Sequence, residues 1–286
     1  MIKIKEKKQV SLCRQIWEEL APEFERLFEE FKNSGNGDAL YSKIYKTYTS
    51  CHAQEYEMTL DILNVDELKS PERPINQKRL SVYTHERYGL TFTITREAIQ
   101  DNLYKAAFYD NVVNLFEAYD IEREKAAAAV FNNAFQGDDP LCQAKYGNLL
   151  GDHCPQKELS LLSLEIAIME IAKYPGTRKR EVVSLLVPTN LQFYAKKILA
   201  QFHEENQEFK IKLLVNKYLS GADKWFGNQW FLLTDAPHGF KHFEREADHV
   251  SSWVDQVTDN LIFKISGRYS FGFSNPLSVF GSAGTR

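Results

Sequence analysis

What this chain lacks narrows its function more than what it contains. Cysteine is scarce: Cys13, Cys51, Cys142 and Cys154 are the four in 286 residues. They share no CxxC spacing, so neither a disulfide-stapled scaffold nor a common zinc ribbon fits, and they read as reduced thiols of a cytosolic product. Positive charge is not in excess. Lys and Arg total 35 against 39 Asp and Glu, a net charge of −4, where a dedicated nucleic-acid binder is usually basic. No apolar run approaches the roughly 20 residues a membrane-spanning helix needs. The basic start, Met1 to Lys8, leads into no apolar h-region, so no secretory signal is expected. Catalytic signatures are missing as well: no G-x-G-x-x-G, P-loop or H-E-x-x-H, and no G-x-S-x-G.

Residues that could carry chemistry are present, but in weak patterns. Cys142, His153 and Cys154, with Cys51 or His52 as a fourth ligand, would make a zinc site whose spacing matches no common one. A loop with free thiols is the plainer reading. His238, His242 and His249 lie near Asp235 and Asp248 in sequence, yet no nucleophile in a strained turn accompanies them. They read as surface histidines. Arg178 to Arg180 read as the solvated tip of a turn. Trp225 and Phe226 suit an interface, and Trp230 and Phe231 a strand core. The residues therefore predict no catalytic site, cofactor or metal.

What is abundant is elongated structure. Between Ile94 and Phe135 there is neither Pro nor Gly, which predicts a helix of roughly 50 Å at about 1.5 Å per residue. Thr95 is placed to cap it, Ile94 and Ile99 to staple it, and Gly137 with Pro140 to stop it. Val112, Phe116, Tyr119, Ala126, Val130 and Ala134 would form its apolar stripe, with Glu117, Asp120, Glu124 and Lys125 opposite. Residues 9–33 read as an amphipathic helix that Pro22 kinks or divides. Residues 41–63 and 80–95 read as extended limbs, the second alternating Leu90, Phe92 and Ile94 with threonines. The polar segment between them carries Pro71 and Pro74. Together they predict a long β-hairpin with little core of its own, which needs another surface to lie on. From about Leu159 an α/β region follows: a helix through Leu161–Ile171, a strand at Val182–Val187, a helix after Pro188, and strands at Phe209–Val215 and Gln229–Asp235. Lys241–His249 and Val257–Ser270 read as paired strands along the long helix.

Several stretches, in order, resemble the major capsid proteins of tailed bacteriophages with the Hong Kong 97 fold, in particular Mu-type major head subunits. Tyr88–Asn102 (YGLTFTITREAIQDN) is similar to the strand-to-spine-helix junction of that family. Gly137–Cys142 (GDDPLC) resembles the turn after the spine helix, with Cys142 where an aromatic is usual. Val183–Ala195 (VSLLVPTNLQFYA) resembles the strand-Pro-helix of the axial domain, and the stretch from Asp223 to Asp235 its Trp-Phe-Leu strand. Tyr269–Gly281 (YSFGFSNPLSVFG) is similar to the closing strand, although Asn275, Pro276 and Leu277 include no Arg.

The resemblance implies an α+β fold with an N-terminal arm over 1–50 and an extended β-hairpin loop over 51–92. It implies a peripheral domain with the spine helix over 93–155, an axial domain over 156–240 and peripheral return strands over 241–286. It implies a non-enzymatic shell protein without cofactors that self-assembles into hexamers and pentamers of an icosahedral head. That head would enclose double-stranded DNA without sequence-specific or membrane binding. Its partners would be other copies, a portal, and separate scaffolding or decoration proteins, and its place the virion, assembled in the host cytoplasm. Arg73, Lys78 and Arg79 near the hairpin tip are expected in inter-subunit ion pairs. An encapsulin-type nanocompartment shell shares the fold and is the first alternative. A soluble metal-dependent α/β enzyme built on Cys142, His153 and Cys154 is the second.

Overall fold

The stretch that the sequence marks as one long helix is two. A short helix, α3 (Arg96–Gln100), is followed after a turn by the 29-residue α4 (Tyr104–Asn132). The start is as expected: Thr95 Oγ1 accepts from the Ala98 amide at 3.3 Å, and Ile94 and Ile99 are buried. The break is a Schellman closure. Leu103 N donates to Ala98 O at 2.9 Å, Asn102 N to Ile99 O at 3.2 Å, and Asn102 holds φ 56°. Asn tolerates that left-handed conformation better than most residues, so it ends a helix without glycine.

In the computed structural model, the described residues are 11–35, 39–60, 78–135, 141–142, 157–173, 181–219 and 228–284. The expected stop at Gly137 and Pro140 lies outside them. In chain order the other elements are α1 (Leu12–Gly35), α2 (Leu40–Ile44), β1 (Lys46–Thr49), β2 (Gln54–Leu60), β3 (Lys78–Thr84), β4 (Glu86–Ile94), α5 (Leu161–Ala172), β5 (Val182–Pro188), α6 (Gln192–Glu205), β6 (Lys212–Asn216), β7 (Trp230–Thr234), β8 (Phe240–Val254), β9 (Leu261–Phe273) and β10 (Val279–Ser282). Contacts divide the chain into two units. One comprises Met1–Ala39, Glu86–Arg123 and Arg245–Tyr269; the other comprises Leu40–His85, Glu124–Glu244 and Ser270–Arg286.

In the first unit α1 is a single helix with Pro22 inside it. Pro22 is on the exposed side, while Cys13, Ile16, Leu20, Phe24 and Phe28 bury one continuous stripe. That packing offsets a lost hydrogen bond and a ring clash that cost about 3 kcal/mol in a helix interior. Phe24, Phe28 and Phe31 lie 5.1–5.7 Å by ring centroid from Phe116 of α4. Below them β4 pairs antiparallel with β9, Phe92 opposite Phe263, the two rings stacked at 5.0 Å. β9 neighbours β8 in turn. Asp248 of β8 accepts from the Tyr119 hydroxyl at 2.8 Å and is bridged to the buried Arg123, whose guanidinium lies between the rings of Tyr119 and Tyr269. Burial raises the Tyr119 and Tyr269 hydroxyls well above the ordinary tyrosine value. Gly267 is required beside them: a Cβ there would sit 2.5 Å from the Tyr119 hydroxyl.

In the second unit a four-stranded sheet has the order β10-β7-β5-β6. From Ser184 on, β5 is buried on both faces, which is why Leu185, Leu186 and Val187 read as a continuous apolar run. On one face Leu185, Val187, Trp230, Leu232 and Phe280 pack with Leu164, Ala167 and Ile171 of α5 and Ala195, Ile198 and Phe202 of α6. On the other, Leu186, Phe231, Leu233 and Val279 pack with Ala127 and Phe131 of α4 and with Tyr45. β1 runs parallel to the start of β8, Lys46 opposite Lys241 to Thr49 opposite Glu244.

Three local expectations are corrected. Residues 41–44 belong to helix α2 rather than to an extended limb, because Glu124 Oε1 accepts from the Leu40 and Tyr41 amides at 2.6 and 3.3 Å and so caps it. Glu124 is therefore not a plain solvent-face residue. Ala126 and Val130 are half-buried, and the stripe passes instead through Ala127, Ala128 and Phe131.

Candidate inter-subunit surface

β2 and β3 form an antiparallel ribbon, in register from Gln54 opposite Thr84 to Leu60 opposite Lys78. Two strands alone are marginally stable, so the residues that fasten the ribbon decide what it can do. Side chains alternate between its faces. Glu55, Glu57 and Tyr83 make the contacts of one face; Tyr56 and Val82, directly opposite each other, are exposed on the second along with Leu80.

The fastened face is polar at its edges and aromatic at its centre. Tyr83 is buried, its hydroxyl 2.5 Å from Ser274 Oγ and its ring edge-on to Phe243 at 4.7 Å. Gly272 leaves room for that ring, since a Cβ at 272 would come within 2.7 Å of it. Glu57 accepts hydrogen bonds from Lys241 Nζ, from Ser274 Oγ and from His238 Nδ1, the last at 2.7 Å. Burial pushes the Glu57 carboxyl up, but these three donors outweigh it and hold the group below its ordinary value. Lys241 also lies over the Tyr48 ring at 5.0 Å. Glu55 is held low by the Ser50 hydroxyl at 2.7 Å and then by His52 at 3.2 Å. His85, buried at the joint between β3 and β4, reaches Ser270 Oγ with Nδ1 at 2.9 Å and Ser50 Oγ with Nε2 at 3.0 Å. The result is a ribbon pinned on one side by charge-assisted hydrogen bonds, with an apolar strip facing away.

Glu57, Lys241 and Tyr83 are the residues that sequence reasoning missed. The partners of Glu57 lie 181 to 217 positions away, beyond any local pattern. The available hint was two acids, Glu55 and Glu57, at alternate positions of a β-prone strand. Of the expected tip contacts, Lys78 and Arg79 fall in β3, opposite Leu60 and Thr59, and Arg73 lies outside the described residues.

Among the described residues the weak chemical patterns do not assemble. His238 binds Glu57 rather than Asp235, whose carboxylate accepts from the Glu181 amide at 3.0 Å. His242 stacks on Phe271 at 4.4 Å. His249 meets Ser266 at 3.2 Å, while Asp248 is engaged by Tyr119 and Arg123. Cys142 is buried against Gly281 and Phe231, and Cys51 is exposed. His153, Cys154, Trp225, Phe226 and Arg178 to Arg180 lie outside the described residues. Among the described residues no three His, Cys, Asp or Glu side chains are grouped to hold a metal, and no helix is long and apolar enough to cross a membrane. Trp230 and Phe231 are wholly buried.

A shell subunit is the class of protein this arrangement suggests, and the comparisons agree. The phage capsid protein family matches residues 79–281, more than half of the sequence, and the chain belongs to that family. No curated protein matches it by sequence. Among solved structures, the virus-like particle from Pyrococcus furiosus is similar at 11% identity, with a TM-score of 0.56 over 91% of this chain and 98% of that one. A phage-related protein from Bordetella bronchiseptica RB50 is similar at 13% identity and 0.52, over 90% and 96%. The capsid of the cyanophage P-SCSP1u is similar at 10% and 0.51, over 85% and 86%. At such identities the likeness is one of fold, and the fold is the α+β, Hong Kong 97-like capsid architecture expected from the sequence. The protein is a structural capsid shell protein of the phage class.

Proposed function

We infer that the protein is the major head subunit of a tailed phage. Copies assemble through hexamers and pentamers into an icosahedral shell around double-stranded DNA. The observation that supports this best is the ribbon: pinned on one face by Tyr83 and Glu57, and apolar and exposed at Tyr56, Leu80 and Val82 on the other. A monomer gains nothing by presenting such a strip, whereas a shell distributes its affinity over many modest contacts of this kind. Residues 51–92 act as the extended loop that lies on a neighbour, with Arg73, Lys78 and Arg79 in ion pairs across the contact. Residues 1–50 act as the arm, 93–155 and 241–286 as the peripheral domain, and 156–240 as the axial domain around each capsomer. A net charge of −4 suits a wall that holds packed DNA without gripping its sequence. Portal, scaffolding and decoration proteins are its further partners, and the virion, assembled in the host cytoplasm, is its location.

Electron microscopy of the purified protein tests this. The wild type should give closed particles, alone or with a scaffold. The Tyr56→Ser, Val82→Ser double variant should fold and remain unassembled. Normal particles from that variant would remove the ribbon from the interface. A nanocompartment that encloses protein in place of DNA is the second reading, favoured by the likeness to the Pyrococcus furiosus virus-like particle. The contents decide between them: nuclease-protected DNA supports the phage head, and a co-purifying enzyme supports the compartment.

A further inference from the structure

Helix α5 is apolar nearly all the way round. Leu164, Ala167 and Ile171 face the sheet and are buried. On the opposite side, where a surface helix normally carries charge, stand Leu162 at 65% exposure and Met169 at 55%. Ile166 is half-buried between them. One acid, Glu165, shares this stretch, three residues after Leu162 and four before Met169. α6, which packs beside α5 on the same face of the sheet, has a second unusual exposed side. Phe193 is 74% and Tyr194 50% exposed. Lys197, one turn after Phe193, and Lys196 are exposed with them. The second unit thus displays two apolar faces of opposite charge, acidic on α5 and basic on α6.

We propose that in the assembled shell the outer face of α5 in one copy packs on the outer face of α6 in the next copy. The inference rests on the capsid reading above and names the residues of one seam within a capsomer. Charge decides the pairing. Two α5 faces meeting would set Glu165 against Glu165, and two α6 faces would set lysine against lysine, both unfavourable. The mixed contact puts Glu165 near Lys197 and covers Leu162, Met169 and Phe193 together. The contact joins two different patches, and repeated head-to-tail from copy to copy such a contact closes into a ring when its rotation permits. Phe193 is the centre of the patch by size and exposure, and an aromatic in that position typically dominates an interface.

Two measurements test the seam. The first is particle yield by sedimentation velocity for the full chain and its variants. Leu162→Asp and Phe193→Asp should each fold, with wild-type circular dichroism, and lower particle yield by about tenfold or more. Glu165→Lys and Lys197→Glu should each lower it, and their combination should restore it. Wild-type yield from Leu162→Asp or Phe193→Asp, or a combined charge reversal no better than either single one, would overturn the seam. The second measurement does not need particles. In a Cys51→Ser, Cys154→Ser background, whose remaining Cys13 and Cys142 are buried, Met169→Cys together with Phe193→Cys should form oxidative cross-links between copies, absent when either cysteine is introduced alone. Lack of that ladder would also overturn the seam. Absence of particles from the wild type, with the ladder still formed by the double-cysteine variant, would instead overturn the capsid reading.

Discussion

Replacing Glu57 by Gln keeps the shape of the side chain and removes its charge, at the point where the ribbon is pinned. In the wild type this carboxylate receives Lys241, Ser274 and His238, and the Lys241 side chain is only 10% exposed. A hydrogen bond to a charged group contributes about 1.5–3 kcal/mol, and leaving one member of a buried ion pair without its partner costs about 3–5 kcal/mol. Lys241 retains the Tyr48 ring and an amide oxygen in the Gln variant, so a loss of about 2–3 kcal/mol at neutral pH is expected. Glu57→Ala, which removes the acceptor altogether, should lose more. The loss should be local: hydrogen exchange should speed up in β2 and β3 before it does in β5 and β7.

The pH dependence follows from the sign of the shift. The folded-state value of Glu57 is depressed, so its contribution is complete above the unfolded value of about 4.3. It is lost as pH falls through the lower folded value. Denaturant melts of wild type and Glu57→Gln should therefore differ at pH 7 and converge at the acid end. Equal stability at pH 7, or a gap that widens on acidification, would refute the role given to Glu57.

Gly267→Ala places a methyl group 2.5 Å from the Tyr119 hydroxyl and closer still to the Asp248 carboxylate, so it should destabilise the first unit by about 1–3 kcal/mol in thermal melts. Phe116→Pro removes a helical hydrogen bond and the ring that Phe24, Phe28 and Phe31 surround. It should cost about 3 kcal/mol or more and abolish assembly with folding; normal particles would contradict the α4 assignment.

Much of the architecture is legible because it depends on short-range physics. Alternation at Leu90, Phe92 and Ile94 marks β4, the cap at Thr95 marks a helix start, and the largely apolar stretch Val182–Val187 marks a buried strand. These patterns reflect local backbone preference and periodic burial, and no distant partner is needed to create them. The order of the motifs was enough to indicate the capsid family. The Schellman turn at Asn102 was also local, but Asp and Asn stop a helix weakly enough that an unbroken run of good formers masked it.

Other features depend on residues that only folding brings together. Leu40–Ile44, with the β-prone Tyr41 and Ile44 among them, becomes helix α2 because Glu124, more than eighty positions away, caps it. A charged strand residue, Glu57, becomes the pin of the ribbon because Lys241, Ser274 and His238 converge on it. Leu162 and Phe193 stand outside because the sheet takes the opposite sides of α5 and α6. The sequence by itself determined most of the helices and strands and which family they compose. The tertiary structure decided which face of each is spent on the subunit and which is left for the next copy, because burial depends on what the rest of the chain places against a face.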